Sequence, residues 1–448
     1  MGRREYRPPG RSARRGTAAR SQLSTGPRGD RDFVTHRSMT RKNRDSMRDT
    51  TNELPLTAAD LRFRDELREW LHEHLSSDFS GQYDRGGPDD DDNWELRRRW
   101  EHELASGGWL GISWPTEYGG RNATLPQEIV LATELARAGA PPRAAFHGET
   151  LMAPTALHYG TPDQKARLLP PMARAEVVWC QGYSEPGAGS DLAGIATRAR
   201  LDGDEWVVTG QKIWTTFAHH ADWIFAIVRT DPQSRRHAGL SYMLIPLDQP
   251  GVEVVPIRTM LGDSGFNEVF FDGARTSTDN VLGRPGDGWK AAMTTLGHER
   301  ATSVLGYQFS FRREMAELRE LARKRGATED PVLRDRLIDS MIQLNIMGYN
   351  NLRTLSTALR DGQFGPEASI GKYYWSRWHQ EFTEVAMDIL GPDSWLSTEW
   401  GSGPDRPSEA LRRSFIRARA ETIYAGSSEV QKNIIAERVL GLPREPRA

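Results

Sequence analysis

The sequence predicts an α+β protein, mostly α, with an N-terminal helical domain, a central antiparallel β-barrel-like domain and a C-terminal four-helix bundle. Three observations carry that expectation. Apolar residues recur at helical spacing up to about residue 178. Over 179–284 the pattern shortens to strand-like runs punctuated by Gly, Pro and Asp. From Gly286 the helical period returns and persists to about Leu440. The 448 residues, 37% of them hydrophobic, supply material for a sizeable core. No run approaches the roughly 18 apolar residues of a membrane span. The lone Cys180 excludes an intramolecular disulfide framework and any cysteine-rich zinc or iron–sulfur site. A cytoplasmic protein is the expectation.

Charge is divided unevenly. The first 50 residues hold 14 Lys/Arg against 5 Asp/Glu, whereas the whole chain carries a net charge of -2. The body is therefore acidic, which argues against a nucleic-acid-binding surface there. Residues 1–53, rich in Arg, Ser, Gly and Pro, have no apolar period and read as a disordered basic extension. Pro8, Pro9 and Pro27 spoil an amphipathic transit helix, and the segment lacks the apolar core of a secretory signal. Met39 and Met47 leave open a later start.

Order is expected from about Leu54. Thr57-Ala-Ala-Asp60 has the form of a helix N-cap ahead of Leu61, Phe63, Leu67, Trp70, Leu71 and Leu75. Residues 96–105 and 125–137 read as further helices, and Trp114-Pro115 and Gly119-Gly120 mark the aperiodic stretch between them. The run Asp89-Asp-Asp-Asp92 lacks the alternating ligand spacing of an EF-hand and reads as a solvated loop. Together these form a helical domain over 54–178. In the β domain, 179–284, residues 196–201 and 205–209 flank a hairpin turn at Asp202-Gly203. Strands follow at 223–228, 240–246, 252–257 and 268–271, and residues 285–448 form the helical bundle domain.

Two segments carry the chemistry. Tyr183-Ser-Glu-Pro-Gly-Ala-Gly-Ser-Asp191 combines small residues, which let a ligand approach the backbone, with hydroxyls at Ser184 and Ser190. It suits a phosphate or a flavin ring edge, and it also reads as a Gly-rich turn between domains. It is not the Rossmann fingerprint, because the third glycine and the βαβ unit are missing. Gly210-Gln-Lys-Ile-Trp-Thr-Thr216 sets a tryptophan before two hydroxyl residues, which can stack on a planar ring and bond its edge. The alternative is a core tryptophan in a strand. His219-His220 lacks a carboxylate partner and reads as a loop feature rather than a metal site.

Read together, these two segments resemble the acyl-CoA dehydrogenase family, and Ile423-Tyr-Ala-Gly-Ser-Ser-Glu-Val-Gln431 resembles that family's C-terminal signature. Three spaced motifs in the right order, spanning about residues 54–442, make the resemblance specific. It implies FAD bound between the three domains. By that resemblance Gln181, Tyr183, Ser184, Gly189 and Ser190 belong to the flavin loop, and Ser190, Arg300 and Tyr424 lie beside the substrate. Trp214, Thr215 and Thr216 line the isoalloxazine, while Ser427 and Glu429 match positions near the flavin, with Glu429 replacing a more usual glutamine.

Enzymes of this family remove the α proton of an acyl thioester with a carboxylate while hydride leaves the β carbon for flavin N5. Many members place the base directly after the tyrosine of the C-terminal signature. Here that position is Ala425, which cannot accept a proton. Leu296-Gly-His-Glu-Arg300 resembles the alternative base position of isovaleryl-CoA and long-chain acyl-CoA dehydrogenases, which makes Glu299 the base. A helical wheel agrees. Trp289, Met293, Leu296 and Val304 form one stripe with Arg300 near its centre, and Glu299 lies about 100° away on its edge. A structural Arg–Glu pair is the alternative, and His298, turned away from the stripe, is the rival base.

The resemblance thus implies α,β-dehydrogenation of an acyl-CoA to the 2-enoyl-CoA, with electrons passing to an electron-transfer flavoprotein. A flavin oxidase or tailoring enzyme on a carrier-protein thioester, or a non-catalytic subunit, are its rivals. Trp179-Cys-Gln-Gly-Tyr-Ser-Glu185 and Gly441-Leu-Pro-Arg-Glu445 resemble actinobacterial members acting on large sterol side chains. Family homo-oligomers supply an Arg-x-x-Phe-Gly element from a neighbouring subunit to FAD, where this chain reads Leu321-Ala-Arg-Lys-Arg-Gly326. The usual Gln-x-x-Gly-Gly becomes Asp388-Ile-Leu-Gly-Pro392, whose proline removes a backbone donor. The ring-side half of a flavin site is kept and the neighbour-side half is changed, which implies a homo- or hetero-tetramer with a second acyl-CoA-dehydrogenase-like subunit.

Overall fold

The computed structural model describes residues 56–79, 93–361, 364–395 and 406–444, and only the backbone of residues 299–306, 406 and 407. The expected basic extension over 1–53, Asp89-Asp-Asp-Asp92 and Glu445 lie outside the described residues. Helix α1 (Ala58–His74) opens on a capping box. The Thr57 N–H donates to Asp60 Oδ2 at 2.9 Å, and Thr57 Oγ1 accepts from the Asp60 N–H at 3.3 Å. Phe63, Leu67 and Leu71 form its buried stripe. α2 (Trp94–Ser106) and α3 (Leu125–Ala138) follow, separated by a single 3₁₀ turn at Thr116–Tyr118. A π-helical turn (Gly148–Met152), α4 (Ala153–Tyr159) and α5 (Pro162–Ala173) complete the N-terminal helices.

The sheet has eight strands: β1 (Trp179–Gly182), β2 (Arg198–Asp202), β3 (Glu205–Thr216), β4 (Trp223–Arg229), β5 (Leu240–Pro246), β6 (Val252–Ile257), β7 (Phe266–Ser277) and β8 (Val281–Leu282). Their order is β6-β7-β3-β2-β4-β5-β8, with β1 also on β4. The β2–β3 hairpin turns at Gly203, φ 66°, one residue later than the expected Asp202-Gly203 pair, because Asp202 still pairs with Glu205. β3 and β7 are longer than alternation suggests. They pair with each other from Glu205↔Ser277 to Thr216↔Phe266, and the partner strand carries polar residues into the ladder.

The sheet is mainly antiparallel, as expected, and two features set it apart from a closed antiparallel barrel. The strand path ends at β6 and at the two-residue β8, so the sheet stays open. β1 and β2 both pair with β4 in parallel, Gly182 opposite Ala226 and Arg198 opposite Arg229. Since β5 occupies one edge of β4, β1 and β2 lie end to end along the other edge. Residues 183–197 leave the sheet in the break between them.

Alternate residues of a strand face opposite sides. Phe225, Ile227, Tyr242 and Leu244 therefore join a core shared with Leu151, Met152 and Leu169 of the helices. Ile224, Ala226, Val228, Met243 and Ile245 join a second core with Val269 and Phe271. Cys180 is buried in that second core, where burial pushes its thiol pKa up and keeps it unreactive.

Among the described residues, four long helices follow the sheet, α6 (Gly288–Lys324), α7 (Pro331–Asp361), α8 (Ala368–Leu390) and α9 (Arg406–Glu421), and then the short α10 (Ser428–Ile434). They pack around Phe311, Leu318, Leu344, Trp378, Phe382 and Leu411. α6 begins in the first core, with Trp289, Met293 and Leu296 packed against it, and ends in the bundle core. No helix among the described residues is long and apolar enough to cross a membrane.

Candidate active site

The 210–216 motif is the distal end of β3, and its ladder is broken. Lys212 pairs with Val269 and Thr215 with Asn267, so Ile213 and Trp214 stand opposite the single Glu268. This is a β-bulge, which re-aims a side chain. Trp214 takes φ 60°, a left-handed conformation rare for a bulky residue. The residue is 56% exposed, and its ring is braced edge-on by Phe266 at 6.1 Å. Trp214 is thus not a core tryptophan. Thr215 is buried, and its Oγ1 has no hydrogen-bond partner among the described residues. The Thr215 carbonyl accepts from Asn267 Nδ2 at 3.0 Å. Thr216 closes β3 opposite Phe266.

The 183–191 motif lies beside this bulge. Gln181, on β1, has a buried Nε2 without a partner among the described residues. The Tyr183 ring packs into the first core, edge-on to Phe225 at 6.1 Å. The Ser184 carbonyl accepts the Ile213 N–H at 2.9 Å, which joins the two motifs directly. Glu185 and Ala188 exchange backbone hydrogen bonds of 3.1 and 3.0 Å around Pro186-Gly187. Gly189 and Ser190 are exposed, and a Cβ at Gly187 or Gly189 would meet nothing within 4 Å.

Sequence reasoning missed the pair that underlies this contact. Lys212 is fully buried and its Nζ donates to Glu185 Oε1 at 2.7 Å. Burial lowers the Lys212 pKa to about 8 although Glu185 works to raise it. Burial also works against the Glu185 charge, but the Lys212 ammonium outweighs it and holds the carboxyl below its usual range. A signal existed: Lys212 shares the phase of the buried Trp206 and Val208 along β3.

The C-terminal signature sits on the bundle side. Tyr424 packs against the bundle core, with Lys372 Nζ 5.6 Å from its ring centroid. Ala425 and Gly426 take φ 51° and 85°, and Gln431 Nε2 holds the Ala425 carbonyl at 3.1 Å. Ser427 is the N-cap of α10, its Oγ accepting from the Val430 N–H at 3.4 Å. Glu429 is exposed in the first turn of α10; its own backbone N–H and the Ser427 hydroxyl hold its carboxyl below the usual range. The α6 backbone carries Glu299 and Arg300, whose side chains lie outside the described residues, and His298 is exposed. His219 Nδ1 lies 2.9 Å from Asn267 Oδ1, and His220 stacks on Trp94 at 4.1 Å. Among the described residues no three His, Cys, Asp or Glu side chains group to hold a metal ion.

The altered elements at the far end of the bundle are engaged locally. Arg323 pairs with Glu320 at 2.8 Å. Arg325 donates to the Leu390 carbonyl at 3.0 Å and to Asp393 at 2.8 Å, and Asp388 pairs with Arg336. A cleft of about 410 Å³ opens where the start of α6 meets the C-terminal segment, lined by His237, Trp289, Met293, Asn433 and Arg438 among others.

An exposed ring on a bulge, an open glycine loop and two unsatisfied buried polar atoms fit a planar ligand with polar atoms on its edge. The isoalloxazine of FAD is such a ligand. The sequence matches the acyl-CoA dehydrogenase N-terminal domain over residues 57–176, the middle domain over 180–274 and the C-terminal domain over 286–440. It is 46% identical over 394 residues to acyl-CoA dehydrogenase IpdE1 of Mycolicibacterium smegmatis, covering 86% of this chain and 98% of that protein. A solved "Tcur3481-Tcur3483 steroid ACAD" is similar with a TM-score of 0.75 at 31% identity, covering 87% of this chain and 99% of that one. The ChsE4-ChsE5 complex from Mycobacterium tuberculosis gives a TM-score of 0.71 at 28% identity, covering 88% and 100%. With all three domains matched in order, the chain belongs to the acyl-CoA dehydrogenase family of FAD-dependent oxidoreductases.

Proposed function

We propose that this chain performs the α,β-dehydrogenation of a bulky acyl-CoA thioester to its 2-enoyl-CoA, with Glu299 as the general base. The observation that carries the reading is the Trp214 bulge, which turns an aromatic ring outward beside the 183–191 loop. Bound FAD supplies the acceptor for the hydride that leaves the β carbon. Trp214 stacks by its ring, and Gln181 Nε2 and Thr215 Oγ1 gain the partners they lack. Tyr183, Ser184, Gly189, Ser190 and Thr216 complete that wall, and Ser427 and Glu429 come from the bundle side. Glu299 receives the α proton, a role Ala425 cannot fill, with Ser190, Arg300 and Tyr424 bordering the thioester. The cleft beside Trp289 and Met293 offers room for a bulky ligand, in keeping with the steroid enzyme among the similar structures.

The same reading gives the chain a second acyl-CoA-dehydrogenase-like partner in a tetramer and an electron-transfer flavoprotein as electron acceptor, in the cytoplasm. Local engagement of Arg323 and Arg325, and Pro392 in place of glycine, leave the neighbour-side contacts to another chain. The face of α7 bearing Ile338, Ile342, Ile346 and Tyr349 is exposed and apolar, as an association surface requires. Two similar structures are of paired chains. The test is anaerobic titration with a panel of acyl-CoA thioesters. Glu299→Gln keeps FAD but slows bleaching of the flavin by about 10²–10⁴. Unchanged kinetics reject Glu299, and a flavin that no thioester bleaches rejects the dehydrogenase. Oxygen consumption with peroxide release points to the oxidase.

A further inference from the structure

The edge of β4 that faces β1 and β2 is not continuously paired. β1 ends with Gly182 opposite Ala226, and β2 takes over only at Arg198 opposite Arg229. The Ile227 carbonyl falls in that break, and Lys212 Nζ donates to it at 2.7 Å. The same ammonium donates to Glu185 Oε1 at 2.7 Å and to the Tyr183 carbonyl at 3.4 Å, so its three protons have three acceptors. Glu185 in turn accepts from the Ala196 N–H at 2.7 Å and the Thr197 N–H at 3.1 Å. Both ends of the 183–197 excursion are thereby tied to one ion pair. Lys212 stands two residues before Trp214, and the adjacent Ile213 N–H bonds the Ser184 carbonyl.

We propose that Lys212 and Glu185 are positioning residues of the flavin site: their ion pair fills the break between β1 and β2 and sets the 184–190 loop against the Trp214 bulge. The inference rests on the flavin reading above. A buried ion pair is weak evidence for stability, since desolvating two charges offsets their attraction. An apolar pair would fill the same volume, but it would not bond the Ile227 carbonyl, the Tyr183 carbonyl and the two amides at once. The geometry of the loop is what those bonds determine.

The experiment titrates the full chain with FAD, both alone and co-purified with its acyl-CoA-dehydrogenase-like partner, and follows flavin fluorescence and absorbance, alongside melting of the flavin-free protein. Lys212→Met alone leaves the Glu185 charge buried and unpaired, which endangers the fold. The decisive variant is therefore Lys212→Met/Glu185→Gln, which removes both charges at nearly constant volume. Expected are a melting temperature lowered only modestly by the donors lost to the Ile227 and Tyr183 carbonyls, an FAD dissociation constant raised about ten- to a hundredfold, as for loss of one charge-assisted hydrogen bond, and blurred shoulders on the bound-flavin band. A double variant with wild-type affinity and spectrum overturns the positioning role. So does an affinity loss no larger than its loss of folded protein. A wild-type chain that takes up no FAD even in complex with its acyl-CoA-dehydrogenase-like partner overturns the flavin reading itself, and the positioning role with it.

Discussion

The sheet side of the proposed cofactor site and the far end of the bundle treat several of their polar groups in opposite ways. On the sheet side, Gln181 Nε2 and Thr215 Oγ1 are buried without partners among the described residues, and Trp214 stands 56% exposed. At the far end of the bundle, Arg325 is held by Leu390 and Asp393, Arg323 by Glu320, and Asp388 by Arg336. A buried donor left unmade costs free energy, and a ligand that satisfies it recovers that cost. Guanidinium groups that would grip a diphosphate are instead closed onto carboxylates of the same chain. On the proposed reading, the sheet side is left ready for a ligand while the far end of the bundle is relieved of reaching a neighbour's.

The largest effect should come from supplying the missing edge. Charge-assisted hydrogen bonds are worth about 1.5–3 kcal/mol each, so lacking two or three of them weakens FAD binding by at least about a hundredfold. Purified alone, the chain should hold FAD poorly; with its partner it should hold one FAD per copy of this chain, two per tetramer. Mass measurement with flavin quantification checks this. A stable homotetramer with one FAD on every subunit breaks the comparison at its root.

A second prediction separates the bundle from the ligand edge. His379 is buried between Glu421, 2.8 Å from Nδ1, and Glu314, 2.9 Å from Nε2, and Lys372 Nζ donates to the Glu421 carbonyl at 2.5 Å. Burial alone would lower the imidazole pKa, but Glu421 and then Glu314 outweigh it and raise it from 6.5 to about 10. Because the folded value lies above the unfolded one, the stabilisation is fully present below pH 6.5 and fades as pH rises through about 10. His379→Gln leaves the buried Glu421 carboxylate and the half-buried Glu314 carboxylate facing a neutral group and should cost about 3 kcal/mol, with a flatter stability profile over that window. The flavin spectrum of the folded variant should not change. A spectral change would show that the bundle network reaches the ligand edge.

These contrasts were unequally legible in the sequence. The Thr57–Asp60 capping box, the bounds of β5 and β6, and the three motifs stood out because each is local: a cap, an alternation or a short string of residues. The bulge at Trp214 was not, since it exists only relative to Glu268 on a strand more than fifty residues away. The Lys212–Glu185 pair failed for the same reason, together with the habit of reading lysine as surface. The open sheet and the parallel placement of β1 and β2 follow from pairings of four residues and of one, below what periodicity detects. Local chemistry was readable, and register was not.

The smallest predicted effect is the sharpest probe of the open edge. Trp214→Ala truncates a residue that is 56% exposed and whose ring touches Phe266 edge-on, so the flavin-free protein should melt almost where the wild type does. A tryptophan in a core would instead cost about 3–5 kcal/mol on truncation. What the variant loses is a stacking surface worth about 0.5–1.5 kcal/mol, which should weaken FAD binding up to about tenfold and shift the flavin absorption band. Alanine also takes up φ 60° no more readily than tryptophan does, so the bulge gains no relief from the change. Trp214→Gly is the control, because glycine accepts that backbone without strain; equal flavin loss in both variants assigns the effect to the ring. If instead both lower the melting temperature of flavin-free protein and leave FAD affinity intact, the outward ring serves the fold and the sheet side loses its claim to be the ligand edge.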